Sequence, residues 1–173
     1  MSEDRTGVQG VLDEIEEAWR ALWAAVDAFS DKQLSEPTDA AGWRAQDHLA
    51  HLGACERGVM FMLNGHPYYA GLGIDETTWA NRDLDAENDV IFRLNRDRVL
   101  DDVRTGLRAT HTELVTTIGD LDPARLDERI SPDDSGDPSA PPTLREKIAG
   151  NTWTHYPEHA EWIATLINNA RDD

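Results

Sequence analysis

Cysteine is almost missing from this chain: Cys55 is the only one in 173 residues, so no disulfide can form within it. Lysine is nearly missing as well, with Lys32 and Lys147 alone. Counting arginine, 16 basic residues face 34 acidic ones, for a formal net charge of −18. So acidic a chain repels nucleic acid and anionic membranes, and neither is expected as a partner. No apolar run approaches the roughly 18 residues of a membrane span. The acidic opening Met1-Ser2-Glu3-Asp4-Arg5 is unlike a secretory leader, which makes the cytoplasm the expected location.

What is present argues for a packed domain. Hydrophobic residues make up 39% of the chain, and six tryptophans are available to anchor a core. The length fits one domain over 1–173. Abundant arginine and aspartate with little lysine fit a GC-rich coding bias.

The hydrophobic pattern predicts an all-α fold of four main helices, with no convincing strand. The first runs from about Val8 to Ala28, where Val11, Leu12, Ile15, Ala18, Trp19, Leu22, Val26 and Phe29 recur at helical steps. Ser35-Glu36-Pro37-Thr38 breaks the chain. The second spans about Ala45 to Asn64 and stops at Gly65 and Pro67. Tyr68 to Thr78 reads as a connection rich in glycine and aromatics, of a length that often carries function. A third helical region covers about Asp83 to Ile118, capped by Asp83 and broken near Arg98. Ser131 to Pro142 is dense in turn formers and reads as an exposed loop. Thr143 and Glu146 form a capping box that opens a fourth helix running to about Ala170. Four amphipathic helices imply a bundle with its site in the core.

The histidines carry the chemical signal. His155 and His159 are four residues apart, on one helical face, within the apolar stripe of Leu144, Ile148, Thr152, Trp162, Ile163 and Leu166. Two stacked core imidazoles need partners for their ring nitrogens, and a divalent metal supplies one. The alternative is a pair of core histidines bonded to carboxylates or carbonyls. A third ligand would come from the second helix. His48 lies nearer the centre of its apolar face, while His51 shares a stripe with Asp47, Cys55, Gly58 and Met62; periodicity alone does not choose. Cys55, four residues after His51, makes a mixed Cys/His site conceivable, although packing is the commoner fate of a buried cysteine. His66, before Pro67, reads as a loop residue, and His111 ranks below the others. Pro157, between His155 and His159, predicts a kink there. Asp47 and Glu158 are the carboxylates that could orient a ligand imidazole, against the usual fate of solvation. Trp43, Trp79, Trp153 and Tyr156 are candidates for aromatic pocket walls, against ordinary core packing.

Three stretches resemble a known superfamily. They are Trp43-Arg44-Ala45-Gln46-Asp47-His48-Leu49-Ala50-His51-Leu52 with Glu56; Glu87-Asn88 followed by Asn95-Arg96-Asp97-Arg98 and Val103; and Ile148 to His159. In this order they resemble the DinB-like four-helix bundles, nearest the ClbS/DfsB branch, over most of the chain. The resemblance implies a bundle with a broken or extended third helical region. It implies that His51, in the family's His-Leu segment opening the second helix, is a metal ligand together with His155 and His159. It implies a divalent ion such as zinc or nickel, and a homodimer.

Three functions follow as expectations. One is a metal-dependent enzyme that transfers a low-molecular-weight thiol (bacillithiol, mycothiol or glutathione) to a small electrophile, or hydrolyses it. Another is a metal-free protective hydrolase or small-molecule-binding protein of the ClbS type. The last is a non-catalytic dimeric binding protein.

Overall fold

The computed structural model describes residues 7–172; the Met1–Arg5 opening lies outside the described residues. In chain order the helices are α1 (Val8–Val26), α2 (Asp31–Ser35), α3 (Ala45–Leu63), α4 (Tyr68–Leu72), α5 (Glu76–Ala80), α6 (Leu84–Asn95), α7 (Leu100–Gly119), α8 (Leu144–Ala149) and α9 (His155–Asp172). No strand forms among the described residues, only the isolated bridges Thr38–Arg44 and Arg129–Thr143. None of the helices is long and apolar enough to cross a membrane.

The bundle consists of α1, α3, α7 and α9. Helix α3 packs on α7 and α9, and α1 closes the ring against the same two helices. Helix α1 is amphipathic: Val11, Ile15, Leu22, Trp23 and Val26 are buried, while Glu16 and Glu17 face out. Helix α3 is different. Every residue from Ala45 to Glu56 is buried, because α4 and α6 cover the side that the bundle leaves open. Polar side chains on α3 are therefore largely shielded from bulk water and need partners inside. Leu49, Leu52, Leu107, Leu114, Ile118, Ile148 and Ile163 fill the surrounding core. Each contributes about 1.5–3 kcal/mol by leaving water.

Several boundaries follow the sequence closely. The third helical region is broken at 96–99, and Asp83 caps it by accepting from the backbone N–H groups of Asp85 and Ala86. The capping box of Thr143 and Glu146 is formed.

One expectation needs correction. The connection from Tyr68 to Thr78 contains α4 and most of α5. Its placement depends on glycine: a Cβ on Gly71 would lie 2.5 Å from the Arg57 carbonyl oxygen, and one on Gly58 would lie 2.7 Å from Tyr68 Cε2. Only a pair without side chains lets α4 sit this close to α3. The segment from Ser131 to Pro142 is the largely exposed loop expected, anchored near its centre. Tyr68 N–H donates to Asp134 Oδ1 at 2.8 Å, Trp79 Nε1–H donates to the Asp133 carbonyl at 2.6 Å, and Ser135 is buried.

Candidate metal centre

The fourth helix of the sequence pattern is two helices, and the break between them sets up the site. Helix α8 ends at Gly150, and the chain turns through 150–154 before α9 starts at His155. The Thr152 and Thr154 hydroxyls donate to the carbonyls of Ile148 and Ala149, which satisfies the end of α8. Pro157 is then the third residue of α9, in the first turn, where a helix does not use its backbone N–H. It starts the helix instead of kinking it. His155 and His159 project from this first stretch, one turn apart.

Opposite them, α3 presents His48, His51 and Cys55. Asp47 secures the start of that helix. Its carboxylate accepts from the Arg44 backbone N–H and from Nε and Nη2 of the Arg44 guanidinium, all at 2.8 Å. Asp47 therefore orients no imidazole. Glu158 is exposed at the edge of the same cavity and bonds to none of the rings.

The structure brings His51, His155 and His159 together. Ring centroids are 5.3 Å apart for His51 and His155, 5.0 Å for His51 and His159, and 4.5 Å for His155 and His159. His48 joins them, with its Nδ1 3.1 Å from His159 Nδ1, and His159 Nε2 is 3.0 Å from His155 Nε2. Cys55 Sγ lies 3.4 Å from His51 Nε2. One ligand atom each from His51, Cys55 and His155 fall within 4.8 Å of one another.

This donor set fits a divalent ion. Nitrogens sharing a tetrahedral zinc lie about 3.3 Å apart, and a sulfur–nitrogen pair about 3.6 Å apart, close to the spacings observed. The rings are also in the right protonation state. Burial, reinforced by the neighbouring histidines, pushes His51 down to about 3 and His159 far below its ordinary value. Burial alone takes His155 to about 4, and it lowers His48 too. Neutral imidazoles are what a metal requires. Two nitrogens remain unused: His51 Nδ1 and His155 Nδ1 are buried with no hydrogen-bond partner among the described residues. Without an ion, burial holds the Cys55 thiol up at about 12, with Lys147 acting against it.

The cluster lies in a cavity of about 1040 Å³. Trp43, Tyr68 and Trp79 contribute aromatic wall, Lys147 and Glu87 contribute charge, and Trp162 stands half-exposed among the lining residues. Trp162 is thus not the core residue its helical position implied. Of the other expected wall residues, Tyr156 is wholly buried in the bundle and Trp153 packs partly against the core.

His111 belongs elsewhere. It stacks face to face on Trp19, with centroids 3.6 Å apart, and its Nδ1 is 3.1 Å from Glu56 Oε1. The Tyr156 hydroxyl donates to the same Glu56 oxygen. Burial raises the Glu56 carboxyl, and its bonds to His111 and Tyr156 oppose that rise. His66 is an exposed residue between α3 and α4, as expected.

With fold and cluster defined, comparison with known proteins becomes informative. Residues 15–156 match the mycothiol maleylpyruvate isomerase N-terminal domain family. The chain belongs to that family. The matched span includes His48, His51, Cys55 and His155 and ends before His159. Two solved structures share this fold. An uncharacterised protein from Escherichia coli UTI89 superposes with a TM-score of 0.74 at 14% identity, covering 96% of this chain and 95% of its own. DfsB, titled a sibling lethal factor precursor, superposes with a TM-score of 0.75 at 16% identity, covering 95% and 97%. The resemblance to DinB-like bundles and the ClbS/DfsB branch therefore holds at the level of fold. No curated protein matches the chain.

Sequence reasoning missed the far wall of the cavity. The Tyr68 hydroxyl donates to Asn151 Oδ1 at 2.7 Å, and Lys147 Nζ sits 3.4 Å from the Tyr68 ring centroid. A signal existed: Lys147, Asn151 and His155 recur every four residues, and lysine is scarce in this chain.

Proposed function

We propose that this chain is a metal-dependent enzyme acting on a small electrophilic molecule, by thiol transfer or by hydrolysis. His51 and His155 hold a divalent ion, zinc or nickel, with a third donor from the same cluster; the family resemblance gives that third place to His159. Such an ion lowers the pKa of a coordinated water or thiol towards neutrality. The protein's own residues supply the setting. Burial keeps the imidazoles neutral, and α3 and the first turn of α9 hold them in register. The family's description names mycothiol, which fits a low-molecular-weight thiol as cosubstrate.

The observation that carries this reading is the pair of buried, unpartnered nitrogens on His51 and His155. Leaving each unsatisfied costs about 1–3 kcal/mol, and an ion satisfies a lone pair directly. A second reading, a metal-free protective protein, draws on the His48–His159–His155 chain of nitrogens, which can hydrogen-bond without any ion. Elemental analysis of protein purified without a histidine tag separates the two. Wild type should carry about one ion per chain and His51→Ala almost none. Wild type free of metal, and unable to take up zinc or nickel on titration, would leave only the second reading.

A further inference from the structure

We propose that Lys147 is a second reactive group of the cavity, an amine that captures small aldehydes and ketones as imines. The inference goes beyond the metal reading and stands whether or not an ion is bound.

The case starts from what surrounds the side chain. Lys147, on α8, lines the same cavity as the imidazoles. Its Nζ lies 3.4 Å from the Tyr68 ring centroid and 5.9 Å from that of Trp79. The ammonium makes no salt bridge and no hydrogen bond among the described residues. Other charged and titratable groups do act on it: Glu87 of α6, Asp134 of the 131–142 segment, Arg82 between α5 and α6, and the Cys55 thiol of α3. Neither carboxylate reaches ion-pair distance, and Asp134 Oδ1 already accepts the Tyr68 N–H. Burial outweighs them all and brings Lys147 down to about 8. Far more of it is therefore free amine near neutrality than of a lysine in water.

Composition points the same way. Of 16 basic residues only Lys32 and Lys147 are lysines. A guanidinium stays protonated and is no nucleophile, so an arginine at 147 would supply the charge and not this chemistry.

The step balances within the cavity. The amine lone pair attacks the carbonyl carbon, a nitrogen–carbon bond forms, and the carbonyl π pair moves to oxygen, which is protonated. The carbinolamine then loses water and leaves a carbon–nitrogen double bond. Water reverses the reaction, so the lysine holds a carbonyl compound without being consumed. A volume of about 1040 Å³ admits such a molecule.

Acetaldehyde is the probe. Full-length protein, as purified, is incubated with it and sodium cyanoborohydride, which delivers hydride to the imine and fixes it as a secondary amine. Peptide mass mapping then reads Lys147 against Lys32, which stands exposed beside Glu36 and serves as the internal control. At about pH 7.5 Lys147 should be alkylated about tenfold or more faster than Lys32. Its rate should level off above a pH of about 8. In concentrated urea the two lysines should react alike. Alkylation of Lys147 no faster than that of Lys32 in the folded protein would overturn the inference. So would an advantage that survives in urea, since the cavity would then play no part. Metal content enters neither outcome, so failure here leaves the metal reading standing.

Discussion

Helix α3 carries two buried polar clusters that begin one residue apart and have opposite needs. Cys55 faces His51, His48 and the imidazoles of α9. Glu56, turned about 100° around the helix, faces His111 of α7 and Tyr156 of α9, with Trp19 of α1 stacked on the histidine. The Glu56 cluster has its own acid: the His111 ring and the Tyr156 hydroxyl both bond to Glu56 Oε1, while Glu56 Oε2 has no partner among the described residues. The Cys55 cluster contains bases and a thiol, and no carboxylate hydrogen-bonds to its rings among the described residues. A buried histidine with its own acid ties helices together. Several buried histidines without one have only each other and a thiol as hydrogen-bonding neighbours.

Breaking the acid side should give the largest change. Glu56→Ala strands the His111 ring and the Tyr156 hydroxyl in the core, and stability measured by urea denaturation should fall by about 3–5 kcal/mol. His51→Ala in metal-free protein should fall by much less, because that ring nitrogen already lacks a partner. Equal losses for the two variants would erase the distinction between the clusters.

Metal removal should separate them next. A ligand present at a hundred times its dissociation constant stabilises the fold by about 2.7 kcal/mol. Chelation should therefore lower the Tm of wild type and of Tyr156→Phe alike, and leave His51→Ala unmoved.

Acid provides a third contrast. The His51 and His155 pKa values sit at about 3 and about 4, below the ordinary 6.5, so the unfolded chain takes up protons that the folded one refuses. Stability of metal-free protein should be full above pH 6.5 and decline as pH falls through the window towards about 3. His155→Ala should flatten that decline; an unchanged slope would mean that these rings titrate as ordinary surface histidines do.

The smallest effect should come from Tyr156→Phe, which removes one donor from Glu56 and costs about 1 kcal/mol. Its metal content should match wild type, and a shortfall would show that the two clusters are coupled through α9.

The long helices were legible in the sequence because their apolar residues repeat over several turns. So were the caps at Asp83 and Thr143, which depend on neighbours within three residues. The inward direction of His155 and His159 was readable from the stripe they share. The break at 150–154 was not, since the stripe continues across it, and a proline at 157 is compatible with either a kink or a helix start. Helices α4 and α5 are five residues each, too short to show a period. The pairing of Glu56 with His111 spans 55 positions and that with Tyr156 spans 100, distances over which helical patterning carries no information. The choice between His48 and His51 was undecidable for a related reason: α3 is buried all round, so its hydrophobicity points nowhere.

The bare contact between Gly58 and Gly71 has a consequence for how such a protein diversifies. It sets the height of the wall that Tyr68 contributes, using backbone alone and touching none of the imidazoles. A single methyl at either position must lift α4 and carry the tyrosine outward. On the proposed reading, the breadth of molecule admitted can shift at these two glycines while the histidine cluster keeps its geometry.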